Sequence, residues 1–173
     1  EKLTREFLTL CSAVPLEEFV PVSRSTGTVL FEPGDLPKFL AGHGNEIRAT
    51  DRFLDEHPDL ILWRDCSADL LWDIPFPGLN QIRAYIRLNH DRFDCALQKN
   101  DSAEAARNFD RSATLRDYVL RDPFLLSLGL AHALENIRQR ALFKAALHGE
   151  IRQFDSATLK RWAGSMPEVE TAF

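Results

Sequence analysis

Residues 78–149 constrain this chain more than any other stretch, because three amphipathic segments follow one another there with sharp punctuation. Pro77-Gly78 opens the first, Asn100-Asp101 separates it from the second, and Asp122-Pro123 begins the third. In the first, Leu79, Ile82, Ile86, Phe93 and Leu97 recur at helical spacing and predict one buried seam over 79–99. One inward slot of that seam falls on a polar residue, Asn89. In the second, Asp101 and Glu104 form a capping-box pattern that starts a helix running to about Leu120. Ala105, Ala106, Phe109, Ala113 and Val119 should line its inner side. In the third, Asp122 as N-cap and Pro123 in the first turn open the longest helix, which Gly149 should stop. Its first half, 124–134, is apolar nearly all round, so it is expected to be the central and most buried element. Ile137, Ala141, Ala145 and Ala146 continue its inner side. Phe109, Leu128 and Ile137 are all expected in the core.

Ahead of this block the signals are shorter. Leu3, Phe7, Leu10, Cys11 and Val14 recur at threes and fours and predict a helix over 1–14, ended by Pro15. Thr28-Val29-Leu30-Phe31 is a β-favourable island, but no pairing partner follows it, so it reads as an extended loop. A short helix should run from Gly34-Asp35 to about Ala41 and break at Gly42-His43-Gly44, with a second over 45–56. Leu60-Ile61-Leu62-Trp63 and Leu70-Leu71-Trp72 read as apolar patches packed across a helical core. Leu159 and Trp162 mark a terminal helix over 156–165. The whole is an all-α domain over 1–173, an irregular helical bundle with a long central helix and at most one short strand pair. It divides into an irregular acidic segment over residues 1–77, a three-helix core over 78–149 and the terminal helix.

The charge is uneven along this plan. Up to Pro77 there are 7 Lys/Arg against 14 Asp/Glu, and from Gly78 onward 14 against 12. A net charge of −5 is a poor basis for holding nucleic-acid phosphates, so no nucleic-acid partner is implied. An acidic segment beside an arginine-rich one fits two pieces of one domain lying against each other. Cys11, Cys66 and Cys95 are odd in number and widely spaced, and they form neither a disulfide framework nor a CxxC pattern. Cys11 and Cys95 sit at apolar helix positions as small hydrophobes, and a bridge from Cys66 to either stays open. No apolar run approaches the ~20 residues that span a bilayer. The chain begins at Glu1 and its only methionine is Met166, as expected if a leader, a membrane anchor or a neighbouring domain once preceded it. A membrane association would then run only through that segment.

Catalytic signatures are missing. His43, His57, His90, His132 and His148 lie in no HExxH, no zinc spacing and no Glu-x-x-His pair. There is no GxSxG, GxxxxGK[ST] or GxGxxG, and no cofactor is implied. His132 and Glu135, in reverse order on one helix face, would more simply form a hydrogen-bonded pair than a metal site. Asp51, Asp55, Glu56 and Asp59 read as a solvated helix face, as do the mixed charges around Arg83, Arg87, Arg107 and Arg111, with Asp117 and Arg121 as an intrahelical pair. The sharper feature is the polar seam. Asn89 and His90 should face His132, Glu135 and Asn136 across the bundle, with an arginine completing a buried network. Such a network either fixes helix register or lines a small pocket.

The order of a proline-opened helix, a tight Asp turn, an Ala-rich helix, then Asp122-Pro123-Phe124-Leu125-Leu126 and a long apolar helix resembles an arrangement in uncharacterised bacterial proteins, over residues 71–166. The turn at Asn100-Asp101-Ser102-Ala103-Glu104-Ala105 also resembles that of a tetratricopeptide hairpin. The likeness implies an all-helical domain in an exported or membrane-anchored context, with a cytoplasmic one as the alternative, and it carries no known activity. These features favour a non-enzymatic interaction or scaffold domain whose partner is another protein. Trp63, Trp72 and Phe76 would be its apolar anchors, unless they pack in the core. The alternative is an enzyme or small-ligand-binding protein with an inter-helix pocket lined by Asn89, His90, His132 and Glu135.

Overall fold

The computed structural model describes residues 1–16, 22–24, 27–29, 31, 34–63, 78–121 and 125–164. The fold is all-α. In chain order it comprises α1 (Lys2–Ala13), a hairpin of β1 (Val22–Arg24) and β2 (Gly27–Val29), α2 (Asp35–Gly42), α3 (Gly44–Glu56), α4 (Leu79–Gln98), α5 (Ser102–Leu120), α6 (Leu125–Leu147), a 3-10 turn (Glu150–Gln153) and α7 (Ser156–Gly164). Trp72, Phe76, Cys66, the patch at Leu70-Leu71-Trp72 and the start of the long helix at Asp122-Pro123 lie outside the described residues.

Local chemistry accounts for the boundaries. Gly78, at φ +68, opens α4 in the left-handed region. A Cβ there would stand 2.2 Å from Leu8 Cδ2, so glycine also lets α1 come close. Asn100, at φ 56, ends α4, and the Asp101 N–H donates back to Ala96 O at 2.9 Å. Asp101 then caps α5 by accepting from the Glu104 N–H at 3.0 Å, the first half of the capping box. Glu104 does not reach back to complete it. Gly149, at φ +73, follows the end of α6 as expected. The island at 28–31 is partly strand: Val22 pairs with Val29, Ser23 with Thr28 and Arg24 with Gly27. Its pairing partner precedes the island in the chain rather than following it.

The helices α4, α5 and α6 form an antiparallel core, and α4 is its spine, contacted by α1, β2, α5 and α6. Ile82, Tyr85, Ile86, Leu88 and Phe93 of α4 are all fully buried. The most buried helix is therefore α4 and not the first half of α6. Leu128 is 45% exposed, and Ala146 is exposed too, contrary to expectation. Only one side of α6 meets α4 and α5, so an apolar sequence on the other side stays in solvent among the described residues. Phe109 is buried as expected, whereas Ile137 is only partly buried and packs against the core from its edge.

The patch at 60–63 alternates with period two. Leu62 is buried and Leu60 partly so, but Ile61 and Trp63 point outward. The Trp63 N–H donates to Thr4 Oγ1 at 2.9 Å, which ties this extended piece to α1.

The apolar interior falls into two cells. One gathers α1, α2, α3, the first half of α4, the second half of α5 and Ala131 and Leu134 of α6. The other gathers Phe93, Ala96 and Leu97 of α4, Ala105 and Phe109 of α5, Ala141 and Ala145 of α6, and Phe154 and Trp162. Between them each core helix carries polar residues at the same level. These are Asn89, His90 and Arg92 on α4, Asn108, Arg111 and Ser112 on α5, and Glu135 and Arg138 on α6.

Candidate functional site

This polar belt is where the sequence placed its sharpest candidates, and it resolves into two charge clusters. The first joins α3 to α4 and α5. Asp51 lies on the Ile47–Leu54 stripe of α3 and is buried with it. Its carboxylate accepts from Arg92 Nη2 at 2.8 Å, Arg92 Nη1 at 3.1 Å, Arg111 Nη1 at 2.8 Å and the Tyr85 hydroxyl at 3.0 Å. Arg111 also grips Asp55 in a two-point fork, at 3.0 and 2.7 Å. Glu104 receives Arg92, Arg107 and Asn108. Three carboxylates thus meet three guanidiniums, and the cluster is neutral. Burial raises the Tyr85 hydroxyl well above its ordinary pKa, and the Asp51 charge adds to that. Burial opposes the charged forms of Arg92 and Arg111, yet both are raised on balance, chiefly by hydrogen bonds to Asp51 and Asp55 respectively.

These pairings overturn the solvated-face reading for Asp51, which is buried, and Arg111, which is largely so, while Asp55, Glu56, Asp59 and Arg107 are exposed as expected. They bear out the broader reading that the acidic segment lies on the arginine-rich one. Arg121 completes the seam. It donates to Pro58 O at 2.6 Å and to Asp59 at 2.9 Å, so it is not the intrahelical partner of Asp117. Asp117 is held instead by the neighbouring Arg116.

The second cluster joins α5 to α6. Glu135 Oε2 accepts from Arg116 Nη1 and from Arg138 Nη1, each at 2.6 Å, and all three side chains are buried. The Arg138 guanidinium also lies 4.4 Å from the centre of the Phe109 ring, a cation–π contact. Burial lowers the pKa of Arg138, whereas Arg116, helped by Glu135 and Asp117 against the same burial, is raised.

Of the predicted residues, Asn89, His90 and Glu135 therefore share one buried level but not one network, and Asn136 is exposed on the outer side of α6 instead of facing them. Asn89 is fully buried and its carbonyl accepts from Arg92 at 3.3 Å, which puts it in the first cluster. Glu135 belongs to the second. His132 is only partly buried, and among the described residues no hydrogen bond joins it to Glu135 or Asn89. Arginine side chains span the gaps that the sequence reading gives to histidine. Their fork reaches two partners on different helices, which periodicity alone does not reveal.

His90 is buried near Arg138. Burial first, and the Arg138 charge second, push its pKa down to about 3 from an ordinary 6.5. His90 therefore stays neutral in the folded chain. The unfolded chain takes up a proton below pH 6.5, so stability must fall as pH falls from 6.5 toward 3. By pH 5 the loss is about 2 kcal/mol from this group. Urea titrations at pH 7 and pH 5 should show that loss in the parent and a smaller one in His90→Gln; equal losses would mean another group carries the acid sensitivity.

Four side-chain atoms in the belt are buried without a hydrogen-bond partner among the described residues: Asn89 Nδ2, His90 Nε2, Asn108 Oδ1 and Arg138 Nε. No group of three or more His, Cys, Asp or Glu is placed to hold a metal ion among the described residues. The belt's charged side chains are paired with one another.

A concave surface lies elsewhere, on the outer side of α6 where the 3-10 turn folds against it. Leu142, Phe143, Ala146 and Ile151 supply its apolar lining, and Asn136, Gln139 and Arg140 its polar edge, around a volume of about 650 Å³. Phe143 is 65% exposed, and Leu147 beside it 70%. Sequence periodicity contains this signal, because 136, 140, 143 and 147 follow one another at helical spacing on the face opposite Ala141 and Ala145. The expected anchor Trp63 is 46% exposed, on a different surface beside α1. Compared with known proteins, the chain matches no family model, no curated protein and no solved structure.

Proposed function

We propose that this chain is a helical protein-interaction domain, and that the outer face of α6 is its binding face. The observation that supports it most is the contrast along α6. Its inner side is packed and its buried charges are paired, while Phe143 and Leu147 stand in solvent beside an apolar groove. Exposing two large apolar side chains side by side costs solubility without helping the fold, and such patches mark binding surfaces. The polar belt beneath holds α6 rigid, and a rigid face binds with less ordering cost. The likeness over residues 71–166 adds the context of a larger exported or membrane-anchored protein.

Photo-crosslinking tests this reading. Benzoyl-phenylalanine at position 143, in the native host, should give discrete protein adducts. The same group at exposed Arg52 on α3 should give none. Equal patterns from both positions, or none from either, would rule out α6 as the binding face.

A further inference from the structure

The chemistry around the α6 groove narrows what binds there, and the following rests on α6 being the binding face. The lined stretch, from Asn136 to Ala146, spans about 15 Å, or roughly three helical turns. Its volume of about 650 Å³ is within the range of ligand sites, but such sites enclose most of a small molecule. A groove whose wall includes a Phe143 side chain standing mostly in solvent cannot enclose one. An amphipathic helix laid along the groove, with anchors one turn apart, covers that shape.

Charge decides which helix. Most arginines of the core are consumed in the belt or at its margins, and Lys144, on the same helix, is held by Asp94 at 2.5 Å. Arg140 on the groove edge is exposed, as is Arg152 next to Ile151, and neither has an ion pair among the described residues. One uncommitted guanidinium, Arg140, therefore stands on the edge of the apolar strip, and a second, Arg152, follows the lining residue Ile151 in the chain. Guanidinium forks match carboxylates in two-point geometry. We infer that the groove receives an acidic amphipathic helix of a partner protein, its apolar residues on Phe143, Ala146 and Ile151 and its Asp or Glu side chains on Arg140 and Arg152.

A displayed library of helical peptides tests this directly. Each peptide carries leucines at i, i+4 and i+7 and randomised flanking positions, and binders are selected on the full chain and counter-selected on Phe143→Asp. The selected pool should be enriched in Asp and Glu at the flanks. A representative acidic peptide should bind at least tenfold more tightly than its Lys-substituted counterpart, and Arg140→Glu with Arg152→Glu should invert that preference. Both arginines are exposed, so these variants should keep the parent melting temperature. Binders that Phe143→Asp removes but that show no acidic enrichment, or a basic one, overturn the inference and leave the binding face standing. A selection that yields no binder sensitive to Phe143→Asp overturns both. A chain that sediments as a dimer, and as a monomer once Phe143→Asp is introduced, makes a second copy the occupant and overturns the inference as well.

Discussion

Replacing Asp51 by alanine is expected to cost about 3–5 kcal/mol of stability, because it strips the shared counter-charge from two buried guanidiniums. Arg92 and Arg111 both have side chains only 11% exposed, and both bond the Asp51 carboxylate, as does the Tyr85 hydroxyl. Asp51→Asn should lose nearly as much, since it keeps the shape and removes the charge. Asp55→Ala is the contrast. That carboxylate is half exposed, water can replace it, and its loss should stay near or below 1 kcal/mol. Urea denaturation of the three variants measures this ranking. An Asp51→Ala loss under 1 kcal/mol would mean that Arg92 and Arg111 find other partners or solvent.

The second large effect is at Glu135. Its removal strips the buried Arg138 guanidinium, which lies against the Phe109 ring, of its carboxylate, and takes one carboxylate partner from Arg116, which also bonds Asp117. Glu135→Ala should therefore also cost about 3–5 kcal/mol. Replacing the pair together, Glu135→Leu with Arg138→Met, removes the charge and its counter-charge and fills the space with apolar atoms. The double variant should lose less than the sum of the two single substitutions, by more than 1 kcal/mol. Additive losses would show that the two side chains do not depend on one another.

The same residues show what is legible in the sequence. Helix spans are readable because their ends carry local chemistry: Gly78, Asn100, Asp101 and Gly149 each act within a few residues of themselves. The level of the polar belt is readable as well, from Asn89 interrupting the apolar seam of α4 and Glu135 interrupting that of α6. Its wiring is not. A guanidinium sits at the end of a long side chain, and whether Arg92 turns to Asp51 or to solvent depends on how α3 lies across α4. One local clue does exist. Asp51 falls at helical spacing between Ile47 and Leu54, which turns it inward. Leu128 misleads for a different reason. Apolar composition on every side of α6 suggests burial on every side, but burial also requires a neighbour. The same mismatch, read the other way, is the clue to the outer face at Phe143 and Leu147.

The polar belt also bears on the structures this chain avoids. Three antiparallel helices with mainly apolar inner faces have near-equivalent alternatives in which one helix slides by a turn, about 5.4 Å, past the others. In a uniform core such a slip exchanges one aliphatic contact for another and is resisted only weakly. Here it would carry Arg92 toward the level of Ala96 and Phe93, or draw Glu135 away from both arginines that neutralise it. Each misaligned state would hold unpaired charge in an apolar cell. The two charge clusters thus act as indexing pins, setting one alignment of α4, α5 and α6 apart in energy from its neighbours.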